Sequence, residues 1–216
     1  MRTSKILFQR GFTLSEMAIV IVLAGVILAA GLMAGRGQIS RAQAQDVVQI
    51  AKDLQSASLA FKQRYGSFPG DLPNAATLLA GAANGTGGTL GNNLIEGAGP
   101  AAATGLATAG NEIAEAPRQL FLAGLIGKLG TTNTNYINSA FGPVQMAQRT
   151  NARTSALYGT AFPTVTNVII FYNLPCEVVS EVDRALDDGG FQTGRAQASV
   201  AVCTAGGVVQ RYWVPL

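Results

Sequence analysis

Residues 17–35 contain no charged side chain, and that run constrains the chain more than any other feature. Its nineteen positions hold only Ala, Val, Ile, Leu, Met and Gly. Wound as a helix at about 1.5 Å per residue, the run reaches about 28 Å, close to the hydrocarbon thickness of a bilayer. Arg2, Lys5 and Arg10 precede it. Basic residues on that side predict a single-pass helix with a cytoplasmic N-terminus and a periplasmic C-terminal domain. An ordinary secretory signal would read differently: its apolar stretch follows the basic region directly and ends in a small-residue cleavage site. Here Gln9, Arg10 and Gly11 are followed by Phe12, Thr13, Leu14, Ser15 and Glu16, and only then by the apolar run. A glutamate at the edge of an apolar span is expensive unless partnered, so Glu16 is a candidate functional residue on physical grounds alone.

The stretch from Arg10 through Gly11, Phe12, Thr13, Leu14 and Ser15 to Glu16 resembles the cleavage and methylation motif of type IV prepilins and type II secretion pseudopilins. The resemblance implies that prepilin peptidase cuts after Gly11 on the cytoplasmic side and methylates the new amino terminus at Phe12. It implies an α+β, pilin-like fold in which a long N-terminal helix packs on a C-terminal antiparallel sheet. The implied partners are prepilin peptidase, other pilin or pseudopilin subunits, an inner-membrane assembly platform and membrane lipid. The implied destination is the inner membrane and then a pilus or periplasmic pseudopilus. Cleavage would leave a positive amine at Phe12. Glu16, four residues on, suits the positive end of the helix dipole. In a filament it could neutralise a neighbour's amine and so set subunit register. The alternative is a solvated glutamate at headgroup level. One position departs from the pattern. Many major subunits have a proline where this chain has Met33, and the family uses it to loosen the helix. Gly31 and Gly35 flank the position, and glycine also weakens a helix locally and permits close packing in a membrane.

Beyond the apolar run, Val47, Ala51, Leu54, Ser58 and Phe61 recur at steps of four and three, widened by Ile50 and Ala57. Gln45, Asp46, Gln49, Lys52 and Asp53 occupy other faces. This pattern predicts an amphipathic continuation of the same helix to about Tyr65, roughly 80 Å from Phe12. Gly66, Pro69 and Gly70 mark its end. The expected divisions are a leader at 1–11, a membrane or filament-core segment at 12–35, an amphipathic segment at 36–65, a loop-rich region with a short helix at 66–164, and a sheet region at 165–216. Tyr65, Pro69, Gly70, Asp71, Pro73, Asn74 and Ala75 form a turn-rich connector that resembles an element found in one group of pilin-like proteins. The stretch from Leu122 to Ile126 and that from Val182 to Gly190 resemble the same group. Residues 76–111 read as a long loop of Gly, Ala, Thr and Asn. Residues 113–129 show a second helical pattern, and 131–164 show no clear element. Residues 168–172, 196–203 and 208–214 are strand candidates. A short helix is expected from Pro175 to about Leu186, with Asn173 or Leu174 near its cap.

Two cysteines, Cys176 and Cys203, lie late in the chain. They fit a disulfide in an oxidising compartment, or two separate buried thiols. Asp187 and Asp188, with Asp183 nearby, invite a calcium reading, but they are fewer ligands than calcium takes and suit a helix-ending turn. The chain has no histidine, and no nucleophile, zinc or phosphate-loop pattern is present. No catalytic role, metal or cofactor is expected. The formal charge is +3 from 15 basic and 12 acidic residues. Without Arg2, Lys5 and Arg10 the signs balance at 12 each, so a broad nucleic-acid surface is not expected, although a local patch stays open. Two functions remain: a structural filament subunit, or a minor pilin whose head binds DNA, a surface or a secreted substrate.

Overall fold

The structure, a computed structural model, describes residues 13–97, 107–127, 129–130, 136–150, 165–204 and 206–216, with the side chains of all of these but 32–36. Helix α1 runs from Leu14 to Tyr65, as the joined apolar and amphipathic patterns predict. The chain divides into two compact units at Ser40 and Arg41. In the first, every described side chain of 13–31 is exposed. In the second, the stripe is buried: Val47, Ala51, Ser58 and Phe61 are fully covered and Leu54 nearly so. Gly66 ends α1 with φ +83°. Its N–H reaches Lys62 O at 2.8 Å, the left-handed helix stop that glycine adopts without steric penalty.

The head is built on a five-stranded antiparallel sheet in the order β1-β2-β3-β5-β4. The strands are β1 (Ile137–Asn138), β2 (Pro143–Gln148), β3 (Asn167–Pro175), β4 (Gln197–Ala198) and β5 (Val208–Pro215). Central β3 pairs β2 through Met146–Ile169 and β5 through Ile169–Val214. Because alternate residues share a face, that register puts Met146 and Tyr212 on one side. Ser58 of α1 meets Met146 Sδ at 3.5 Å, and Gln55 Nε2 donates to Pro215 O at 2.7 Å. Helix α4 (Cys176–Leu186) reaches the same face, where Tyr212 Oη donates to Asp183 Oδ1 at 2.6 Å. The opposite face carries Gln145, Ile170 and Trp213, also buried. A strand covered on both sides reads as a continuous apolar run, which is why residues 168–172 were recognisable.

Several elements differ from expectation. β1 and β2 lie within 131–164, where no element is expected. β2 contains Pro143, Gln145 and Gln148, so its apolar signal is broken although its middle is wholly buried. Helix α3 (Glu112–Leu122) stops short of 129. Gly124 takes φ +70°, and Leu125 N closes back on Leu120 O at 3.0 Å, so Leu125 and Ile126 lie beyond the helix. β4 covers only two residues of 196–203. After Ser199 N bonds Arg211 O at 2.9 Å the ladder ends, and Val202 is 79% exposed. α4 is capped by Pro175 rather than Asn173 or Leu174.

The loop after α1 is ordered by side chains instead of a ladder. It contains one helical turn, α2 (Ala75–Leu78). Asp71, fully buried, accepts the N–H groups of Gly91 (2.6 Å), Asn92 (3.2 Å) and Asn93 (2.7 Å). Gln119 of α3 accepts Gly70 N–H at 2.7 Å. Asn167 Oδ1 accepts Ile95 N–H at 2.9 Å, and Gln148 N–H reaches Ile95 O at 2.6 Å. The described part of 76–111 is thereby fastened to both α3 and the sheet.

Candidate functional site

At the start of α1, Thr13 and Glu16 cap each other. Thr13 N–H and Thr13 Oγ1 both donate to Glu16 Oε2, at 2.9 and 2.8 Å, and Glu16 N–H returns to Thr13 Oγ1 at 3.3 Å. This is a capping box, in which an N-cap hydroxyl and a glutamate three residues on satisfy two orphan helix donors. Thr-Leu-Ser-Glu ahead of an apolar run is the sequence pattern of this box, and it gives Thr13 a role that the cleavage motif does not single out. Gly11 and Phe12 lie outside the described residues. The structure therefore places Glu16 in the first helical turn, four positions after the predicted new terminus.

The apolar surface begins immediately after this box. Residues Leu14–Gly31 have a mean hydropathy of 2.3 and none of them is buried. Ile21 is 71% exposed and Ile27 70%. Length and composition suit a bilayer span, and no inner face of this segment packs on a partner within its own unit. Glu16 thus sits at the boundary between a polar helix start and an unbroken apolar cylinder.

Elsewhere, the predicted cysteines meet. Cys176 and Cys203 form a disulfide with Cα atoms 5.5 Å apart. It ties the first residue of α4 to the segment before β5. Cys176 N–H also bonds Gly207 O at 3.0 Å, and Glu177 Oε1 accepts Gly206 N–H at 2.8 Å. Asp187 and Asp188 serve the following turn. Asp187 Oδ2 accepts the N–H groups of Arg195 and, at 2.6 Å, Ala196. Asp188 Oδ1 accepts Gly190 N–H at 2.9 Å, which holds its carboxyl below the usual range. Asp183 is pushed the other way by burial, against the opposing Tyr212 hydrogen bond. Among the described residues no group of three or more His, Cys, Asp or Glu side chains is placed to hold a metal ion.

A groove of about 670 Å³ runs along the head between α1 and the segments around Leu125 and Ile137. Asp46, Ile50, Asp53, Leu54 and Ala57 of α1 line it.

Comparison with known proteins agrees with the N-terminal geometry. Residues 7–32 match the family model of the prokaryotic N-terminal methylation motif. A fimbrial protein of Neisseria meningitidis serogroup B (strain ATCC BAA-335 / MC58) is 34% identical over 67 residues, which cover 31% of this chain and 39% of that relative. The match therefore spans well under half of the curated relative. No solved structure matches the chain. The chain thus carries the prokaryotic N-terminal methylation motif ahead of an exposed apolar helix and an α+β head on an antiparallel sheet, and over 67 residues it is similar to a fimbrial protein.

Proposed function

We propose that the chain is a structural subunit of a type IV pilus or type II secretion filament, polymerised through the first half of α1. The observation that carries this reading is the Thr13–Glu16 box at the head of a fully exposed apolar helix, inside the matched residues 7–32. An apolar cylinder whose described side chains pack on nothing within their own unit calls for lipid before assembly and other helices after it. In this mechanism prepilin peptidase cuts after Gly11 and methylates Phe12. The helix holds the subunit in the inner membrane, N-terminus cytoplasmic and head periplasmic. The assembly platform then transfers it from lipid to the filament core. Glu16 pairs with the Phe12 amine of a neighbour and exchanges its local Thr13 bonds for a charge-assisted contact, which sets register. The head carries no catalytic role in this account.

Intact-mass analysis of the membrane-bound protein tests the processing step. The expected mass is that of a chain starting at Phe12 plus one methyl group. A chain starting near Ala34, as a signal-peptidase cut would leave, refutes it. The competing role, a minor pilin that binds DNA, a surface or a secreted substrate, predicts a trace component of sheared filaments, whereas a major subunit dominates them.

A further inference from the structure

Glu112 is buried without the neutralising contact that a buried acid requires. It opens α3 and is fully covered. Its Oε2 accepts Glu96 N–H at 2.7 Å, while its Oε1 has no hydrogen-bond partner. Two glycines make room for it. A Cβ at Gly85 would lie 2.5 Å from Glu112 Cγ and 2.6 Å from Gly70 O. A Cβ at Gly88 would overlap Glu112 Oε1 and lie 2.8 Å from Glu96 Oε2. The two carboxylates therefore border the same small space. The charged groups that act on Glu112 are Glu96, from the loop, and Asp71, from the exit of α1. Both are acids. The sequence has no lysine or arginine between Arg64 and Arg118. Neither the Arg118–Glu115 nor the Arg184–Glu181 ion pair involves any of the three.

A buried acceptor facing like charge lacks a hydrogen, and a protonated carboxyl supplies one. We propose that Glu112 is a proton-linked latch that holds residues 85–97 against α3 when protonated and loosens them when ionised. A metal ion would be the other way to balance the cluster. The geometry disfavours it, because both oxygens of Asp71 and Oε2 of Glu96 already accept N–H donors, and such oxygens sit among positive rather than negative dipole ends. Burial, reinforced by Asp71 and Glu96 and opposed by the Glu96 N–H bond, raises the Glu112 pKa to about 7 from its ordinary 4.5. The sign follows. The closed head binds this proton more tightly than an opened one, so closure is strongest at low pH. It weakens as pH rises from about 4.5 to about 7 and then levels off. Since Ile95 is bonded to Asn167 and Gln148, the release reaches the terminal pair of β2 and β3.

Hydrogen exchange on the full chain in detergent micelles tests the latch, with rates corrected for intrinsic pH dependence. Protection of residues 85–97 should fall by up to about tenfold per pH unit between pH 5 and 7 and level off above. Glu112→Gln mimics the protonated acid and keeps an acceptor for Glu96 N–H. Its protection should stay flat across the same range. Equal pH profiles in the two proteins overturn the latch. So does protection of the wild type at pH 7.5 that appears with calcium and disappears with chelator, which assigns the cluster to a metal. Infrared difference spectra provide a readout that does not depend on exchange. A protonated-carboxyl band lost with a midpoint near 7, and absent in Glu112→Gln, supports the latch; a midpoint at or below 4.5 overturns it.

Discussion

The two halves of α1 are the most instructive contrast in the molecule. Residues 14–31 are almost wholly apolar and bury nothing. Residues 44–61 alternate with Gln, Asp and Lys, yet they present Val47, Ala51, Leu54, Ser58 and Phe61 to the core. Hydrophobicity alone therefore does not decide what folds inward. Periodicity does, because one apolar face needs one partner surface, and the head supplies it. A helix that is apolar all round cannot be covered by a single sheet face. Under the proposed function, that environment is lipid before assembly and other subunits after it.

Substitutions in the two halves should consequently fail in different assays. The largest effect is expected from Glu16→Ala. Removing one member of a desolvated charge pair costs about 3–5 kcal/mol, so incorporation into filaments should drop by more than about a hundredfold. Clipping, membrane residence and head unfolding should be unchanged. Normal incorporation would break the pairing mechanism. Phe61→Ala should do the reverse. Phe61 is fully buried and packs at a tilt against Tyr65 with ring centroids 4.6 Å apart, and its truncation should cost the head about 3–5 kcal/mol. Thermal unfolding in detergent measures this, and Ile21→Ala is the control that should leave the head's midpoint in place. Replacing Cys176 and Cys203 with Ser should destabilise the head by about 3–4 kcal/mol through the freed loop, read by denaturant titration. An unchanged midpoint there would mean that native contacts alone hold α4. The smallest effect is Thr13→Ala, which removes the cap. A loss of about 1 kcal/mol is expected at the helix start, seen as faster exchange of the Glu16 amide with assembly retained. If Thr13→Ala blocked assembly as fully as Glu16→Ala, the local box rather than the intersubunit pair would be the working element.

What could be read in advance follows the same division. The apolar run, the stripe, the buried run of β3 and the meeting of Cys176 with Cys203 were legible because each leaves a periodic or compositional trace. β2 was hidden because buried Gln145 and edge Pro143 mask its alternation. The end of α3 was missed because Leu125 and Ile126 continue the apolar pattern past a glycine that turns the backbone. Least visible was the organisation of 66–97. Asp71, Glu96 and Glu112 are far apart in sequence, and each looks like an ordinary loop or helix-start acid until the fold brings them to one place. Backbone order imposed by carboxylates leaves no periodicity to detect.

The disulfide has a mechanical meaning as well. A filament subunit pulled along its length would lengthen only by paying out backbone. Cys176 and Cys203 are 27 positions apart, but their Cα atoms are held within 5.5 Å. At about 3.4 Å per extended residue, that withholds about 90 Å of contour. The withheld stretch includes α4 and β4. Tension on an unfolding subunit would pass from the end of β3 across the sulfur bridge to β5, bypassing the enclosed segment. A head stretched from its termini should therefore stop extending short of its full contour, and reducing the bridge should restore the missing length.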